Sequence, residues 1–115
     1  MDKSDALSAL SALSQDMRLD VFRLLVKSGS DGLSAGDIAR HLDALPNTLS
    51  TNLKVLAQAG LVRAERHGRT IVYRADFTGM RDLLAFLMED CCNGAPELCA
   101  PVIEAVTCGC PEQMT

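Results

Sequence analysis

Two short amphipathic segments separated by three residues, followed by two strand-like runs joined at a glycine, predict a mainly α chain with a small β-hairpin, arranged as a winged helix-turn-helix. The composition agrees. Apolar residues make up 48% of the chain but include only three Phe, one Tyr and no Trp, so the core must be built largely from Leu, Val, Ala and Met, which suits helices. At 115 residues the chain is one domain with a modest core, a size that gains from dimerisation.

Each element has a local reason. Leu7, Leu10 and Leu13 recur every three residues after Ser4-Asp5, the spacing of one face of a short first helix. Ser14 is a candidate N-cap for a second helix, in which Met17, Val21, Leu24 and Leu25 form an i, i+4, i+7, i+8 stripe that Gly29 ends. Asp20, Arg23 and Lys27 lie off that stripe and should face water. Ser34 stands three residues before Asp37 in a weaker relative of the capping box, and Ile38, Ala39 and Leu42 supply a buried face, so a helix is expected over about 35–42.

After Asp43-Ala44-Leu45, Pro46 fits a first helical turn, where its missing N–H costs nothing. Leu49, Leu53 and Leu56 then face the core until Gly60 ends the helix. The two helices and their three-residue turn put 46–59 in the recognition position of a helix-turn-helix. Its opposite face shows Asn47, Thr48, Ser50, Thr51 and Lys54, small polar and basic side chains able to meet base edges in a major groove.

Leu61–Arg66 and Thr70–Arg74 alternate apolar and polar residues or are β-branched, and His67-Gly68-Arg69 would join them as a hairpin wing. Arg66, His67 and Arg69 at its tip could reach phosphates or the minor groove. His41 is expected at the surface. Thr78 is a candidate cap for a last helix in which Met80, Leu83, Leu84, Leu87 and Met88 form the cleanest apolar stripe, with Cys91 continuing it. Asn93-Gly94 should stop that helix, Pro96 and Pro101 should keep the next segment from being helical, and no regular structure is expected over 102–115.

Charge separates along the chain. The net charge is −4, but residues 54–74 carry five basic residues and one acidic, against five and seven in 1–53 and one and seven in 75–115. The positive charge is thus concentrated in one segment, and a local patch is what phosphate contact requires. The first twenty residues hold Asp2, Asp5, Asp16 and Asp20 and no continuous apolar run, so no signal peptide or membrane span is expected and the protein should be cytoplasmic, with no membrane partner.

In a reducing compartment five cysteines are better suited to metal ligation or redox sensing than to structural disulfides. Cys91, Cys92 and Cys99 lie within nine residues, and Cys108 and Cys110 follow. Thiolates select soft, thiophilic centres. Trivalent arsenic takes three sulfurs in a pyramid around its lone pair, so three thiols suffice. Side chains of helix neighbours point about 100° apart, so Cys91 and Cys92 can share one atom only where the helix frays. Asn93-Gly94 supplies the fraying, and the six residues between Cys92 and Cys99, Pro96 among them, let Cys99 fold back. Other readings stay open: Cys91 as a small buried hydrophobe, a four-thiolate Zn, Cd or Pb site drawing on Cys108 or Cys110, or a reversible disulfide with Cys99 as resolving partner. An enzyme is not expected, because there is no Cys-x-x-Cys, no βαβ pattern and no nucleophile-base pairing near a pocket-forming loop.

The runs ALSQDMRLDVFRLL, GLSAGDIARHL, PNTLSTNLKVLAQAGLV and RAERHGRTIVYR together resemble the ArsR/SmtB family of winged-helix metal-sensing repressors over roughly residues 5–92. The resemblance implies a homodimer built on the first and last helices that binds double-stranded operator DNA and lets go when its ligand binds. It divides the chain into a DNA-binding and dimerisation domain, 1–92, and a cysteine-containing sensor loop and tail, 93–115. One branch of the family places arsenite ligands in the first helix of the helix-turn-helix, where this chain has no cysteine. Another uses Asp and His on the last helix, where this chain has Asp76 and Asp82 nearby but no histidine. The vicinal pair followed by a third cysteine is similar instead to arsenic-responsive members, implying As(III), and by extension Sb(III), as the ligand of Cys91, Cys92 and Cys99. Leu45-Pro46-Asn47 departs from the more usual Ser-Gln-Pro at the start of the recognition helix.

Overall fold

A computed structural model describes residues 1–89 and 100–107. The helices are α1 (Lys3–Leu13), α2 (Asp16–Ser28), α3 (Ala35–Leu42), α4 (Pro46–Gln58), α5 (Phe77–Leu87) and α6 (Ala100–Thr107), and the strands are β1 (Leu33–Ser34), β2 (Val62–His67) and β3 (Thr70–Ala75). The fold is a winged helix-turn-helix, mainly helical, with a three-stranded antiparallel sheet in the order β1-β3-β2. β1 is an addition to the expected hairpin: Leu33 pairs with Tyr73 and Ser34 with Val72, so the entry to α3 is stitched to the wing.

Local caps set most boundaries. Asp2 and Asp5 form a reciprocal capping box that starts α1. Ser34 caps α3, its hydroxyl accepting from the Asp37 N–H at 3.2 Å, while the Asp37 carboxylate pairs with Arg40. The α3–α4 turn is the expected three residues, and Asp43 bends it with a left-handed φ of 52°.

Two expected caps are displaced. α2 is capped by Gln15, which accepts from the Arg18 N–H at 2.8 Å, because Ser14 instead closes α1 by donating its hydroxyl to the Ser11 carbonyl. α5 is capped by Asp76, whose carboxylate accepts from the Gly79 N–H at 3.0 Å, and so starts one residue before Thr78.

The core consists of Val21, Phe22 and Leu25 from α2, Ile38 from α3, Leu49, Leu53 and Leu56 from α4, and Leu61, Val62, Ala75 and Leu83 around the sheet and α5. Against it α1 presents Ala6, Ala9 and Ala12, with Leu13 partly buried beside them, while Leu7 and Leu10 are 56% and 41% exposed. Only a small side chain lets this helix lie close to α2 and α4. Of the stripe on α5, Leu83 is buried whereas Leu84 and Leu87 are 41% and 50% exposed.

The chain also departs from expectation at its end. α5 finishes at Leu87, short of Cys91, with a tightened last turn in which the Glu89 N–H reaches the Phe86 carbonyl. α6 is helical despite Pro101, which occupies its first turn, where a proline removes no needed donor. Among the described residues no helix is long and apolar enough to cross a membrane.

Candidate nucleic-acid interface

α4 is held by one face and shows the other. Leu49, Leu53 and Leu56 are buried, and Pro46 stands at its first position behind Leu45, which offers no capping side chain and is 73% exposed. Asn47, Thr48, Ser50, Thr51 and Lys54 are all exposed along the opposite face, as the period of the leucines requires. Thr51 donates its hydroxyl to the Asn47 carbonyl at 3.2 Å, which orients the hydroxyl oxygen as an acceptor toward solvent.

The wing has two chemically distinct faces. In the β2–β3 register Arg63 opposes Arg74, Glu65 opposes Val72 and His67 opposes Thr70, while Ala64 opposes Tyr73 and Arg66 opposes Ile71. Because strand side chains alternate, Arg63, Glu65, His67 and Arg74 share one face and Arg66 lies on the other. His67 belongs to the strand, and the turn is only two residues, Gly68-Arg69, with Gly68 at a φ of 66° in the first turn position, where hairpin geometry demands glycine. Arg66, His67 and Arg69 are exposed, but they do not converge on a single point.

Pairing sorts these cations. The ring Nε2 of His67 lies 3.0 Å from a Glu65 carboxylate oxygen, which also accepts from Arg74. Hydrogen bonds from His67 and then Arg74 hold the Glu65 carboxyl below its ordinary range. Arg74 further donates through Nε to the Ser30 carbonyl at 2.7 Å, tying the wing to the turn after α2. Among the described residues no carboxylate pairs with Lys54, Arg66 or Arg69. These three are exposed without a carboxylate partner, whereas His67 shares its ring with Glu65.

Sequence reasoning passed over Arg18 and Asn52. Asn52 is buried at 6% exposure and accepts from Arg18 Nη1 at 3.1 Å. A polar residue three positions from Leu49 and four from Leu56 was the available signal, because a buried amide calls for a partner. Cys91, Cys92, Cys99, Cys108 and Cys110 lie outside the described residues. Among the described residues no cluster of His, Cys, Asp or Glu is arranged to hold a metal ion.

Known proteins resemble this chain in sequence and fold. A helix-turn-helix domain model matches residues 13–65, from the end of α1 into β2. The transcriptional repressor SdpR of Bacillus subtilis (strain 168) is 30% identical over 81 residues, covering 70% of this chain and 87% of that protein. A homodimeric winged helix-turn-helix DNA-binding domain from Mycobacterium bovis, a possible ArsR-family transcriptional regulator, superposes with a TM-score of 0.62 at 26% identity, covering 74% of this chain and 77% of the other. The antimony-specific transcriptional repressor AntR superposes with a TM-score of 0.58 at 32% identity, covering 73% and 75%.

Proposed function

The chain belongs to the ArsR-like family of winged-helix transcriptional regulators, and we propose that within it this protein is a metalloid-responsive repressor. The dimer binds operator DNA and is released when arsenite or antimonite binds Cys91, Cys92 and Cys99. The observation that carries the DNA half is the exposed face of α4 beside a wing whose Arg66 and Arg69 have no carboxylate partner among the described residues. Asn47, Thr48, Ser50 and Thr51 read base edges, Lys54, Arg66 and Arg69 hold phosphates, and His67 contributes where Glu65 releases it.

The exposed leucines of α1 and α5 support a dimer seam on those helices. Leu7, Leu10, Leu84 and Leu87 are large apolar side chains left in water by one chain alone. The ligand half rests on the donor set: three thiols within nine residues fit a trivalent metalloid, and AntR is a relative whose own name is antimony-specific. On this reading residues 1–92 bind DNA and dimerise, and 93–115 sense. Cys108 and Cys110 offer a fourth sulfur, so a tetrahedral Zn, Cd or Pb site is the competing assignment.

The test is operator binding by the full chain with and without arsenite or antimonite. Wild type should lose affinity by about 1–3 kcal/mol of coupling, and a variant with Cys91, Cys92 and Cys99 all changed to Ser should stay bound. Undiminished release of that variant refutes the three-thiol assignment.

A further inference from the structure

Asn52 is the one buried polar side chain among the described residues, and it lies in the apolar face of α4 beside Leu49, Leu53 and Leu56. Both ends of its amide are used. Its Oδ1 accepts from Arg18 Nη1 at 3.1 Å, and its Nδ2 donates to the Met17 sulfur at 3.1 Å. The same guanidinium donates through Nε to the Ala12 carbonyl at 2.7 Å. That carbonyl is in the last turn of α1, where helix geometry provides no intrahelical partner. Arg18 itself stands in the first turn of α2. One planar, rigid fork therefore holds α1, α2 and α4 at a single point.

We propose that Arg18 is a positioning residue for DNA recognition: through Asn52 its guanidinium fixes the rotation of α4 about its own axis relative to α1. The proposal rests on α4 being the recognition helix. Asn47, Ser50 and Lys54 sit on the side of α4 opposite Asn52, while Thr48 and Thr51 flank it, so a turn of the helix at Asn52 swings all five together. Base-edge hydrogen bonds demand that register, whereas attraction to phosphates tolerates its loss. Among the described residues Arg18 is held by neutral acceptors and pairs with no carboxylate. α1 carries the exposed leucines of the dimer seam, so the same fork sets how the geometry of the dimer reaches α4.

The experiment compares, without inducer, the affinity of the full-length protein for a duplex selected from random sequence by wild type and for an unrelated duplex, with dimer content and melting temperature alongside. Arg18→Ala and Asn52→Leu should each weaken binding to the selected duplex tenfold or more while changing the unrelated one less than threefold. The double variant should be no weaker than the weaker single, because both break the same link. Asn52→Asp keeps an acceptor for Arg18 and should retain affinity for the selected duplex within threefold. Should Arg18→Ala fail to fold, Arg18→Lys decides, since a single ammonium cannot serve Ala12 and Asn52 in the geometry of the fork. Folded variants that keep the wild-type ratio between the two duplexes, at whatever melting temperature, overturn the proposal and leave Arg18 a stabilising residue. A wild type that selects no sequence overturns the recognition reading of α4 and the proposal with it.

Discussion

Gly79 in the first turn of α5 rests directly on Gly60 at the end of α4: a methyl group on Gly79 would stand 1.9 Å from the Gly60 carbonyl oxygen. The Asp76 N–H donates to the Leu61 carbonyl at 2.8 Å beside this point. The turn that follows α4 and the first turn of α5 therefore meet backbone to backbone at these two glycines.

Gly79→Ala sets two effects against each other. Helix propensity favours Ala by about 1 kcal/mol, while overpacking against fixed backbone costs about 1–3 kcal/mol. Backbone on both sides leaves nothing flexible to yield, so the variant should be destabilised, seen as a lower midpoint of urea unfolding. A raised midpoint would show that α5 moves away freely.

Lys54→Ala should weaken binding to selected and unrelated DNA alike. It should also flatten the dependence of log K on log salt by about 0.9 for each phosphate that is no longer neutralised. Fluorescence anisotropy across a salt series measures it, and an unaltered slope would mean that Lys54 does not touch a phosphate.

Leu10→Glu or Leu84→Glu should convert the dimer to a folded monomer. Each side chain is 41% exposed within one chain, so a charge there is tolerated by the monomer but not inside a dimer seam. Sedimentation together with circular dichroism reports both properties, and an intact dimer in both variants would place the seam elsewhere.

Glu65→Gln removes the carboxylate that engages His67 and Arg74. Tighter DNA binding at low salt is expected, because the charged face of the wing gains one net positive charge. The pH dependence has a definite sign: a depressed folded pKa means that the Glu65 pairing stabilises the wing above the unfolded carboxylate value, and that stabilisation fades as pH falls through the folded one. An NMR titration of Glu65 with a midpoint at or above the ordinary 4.5 would contradict the pairing.

Metalloid binding should show two ions per dimer in wild type and in a Cys108→Ser/Cys110→Ser variant. A lower number or weaker affinity in the variant would favour the four-thiolate site. Linkage requires operator DNA to weaken metalloid binding by the same factor that metalloid weakens operator binding, which calorimetry with and without duplex can measure.

Elements whose signals are local were legible in the amino-acid sequence. The Ser34 cap, Pro46 at the first position of α4, the leucine period of that helix and the polar residues opposite it all act within three or four positions, so they hold whatever the packing. The basic wing was equally legible from its charges, although its register was not. Packing decided what depends on distant partners. Leu7, Leu10 and Leu13 and the alanines Ala6, Ala9 and Ala12 recur at the same interval, and only the closeness of α2 and α4 selects the alanines for full burial, with Leu13 partly buried and Leu7 and Leu10 exposed. The competition between Ser14 and Gln15 was settled by which one the turn leaves free to cap α2. The link from Arg18 to Asn52 spans 34 positions, and no local rule reaches that far: a buried amide announces that it needs a partner, but only the packed helices determine which one it finds.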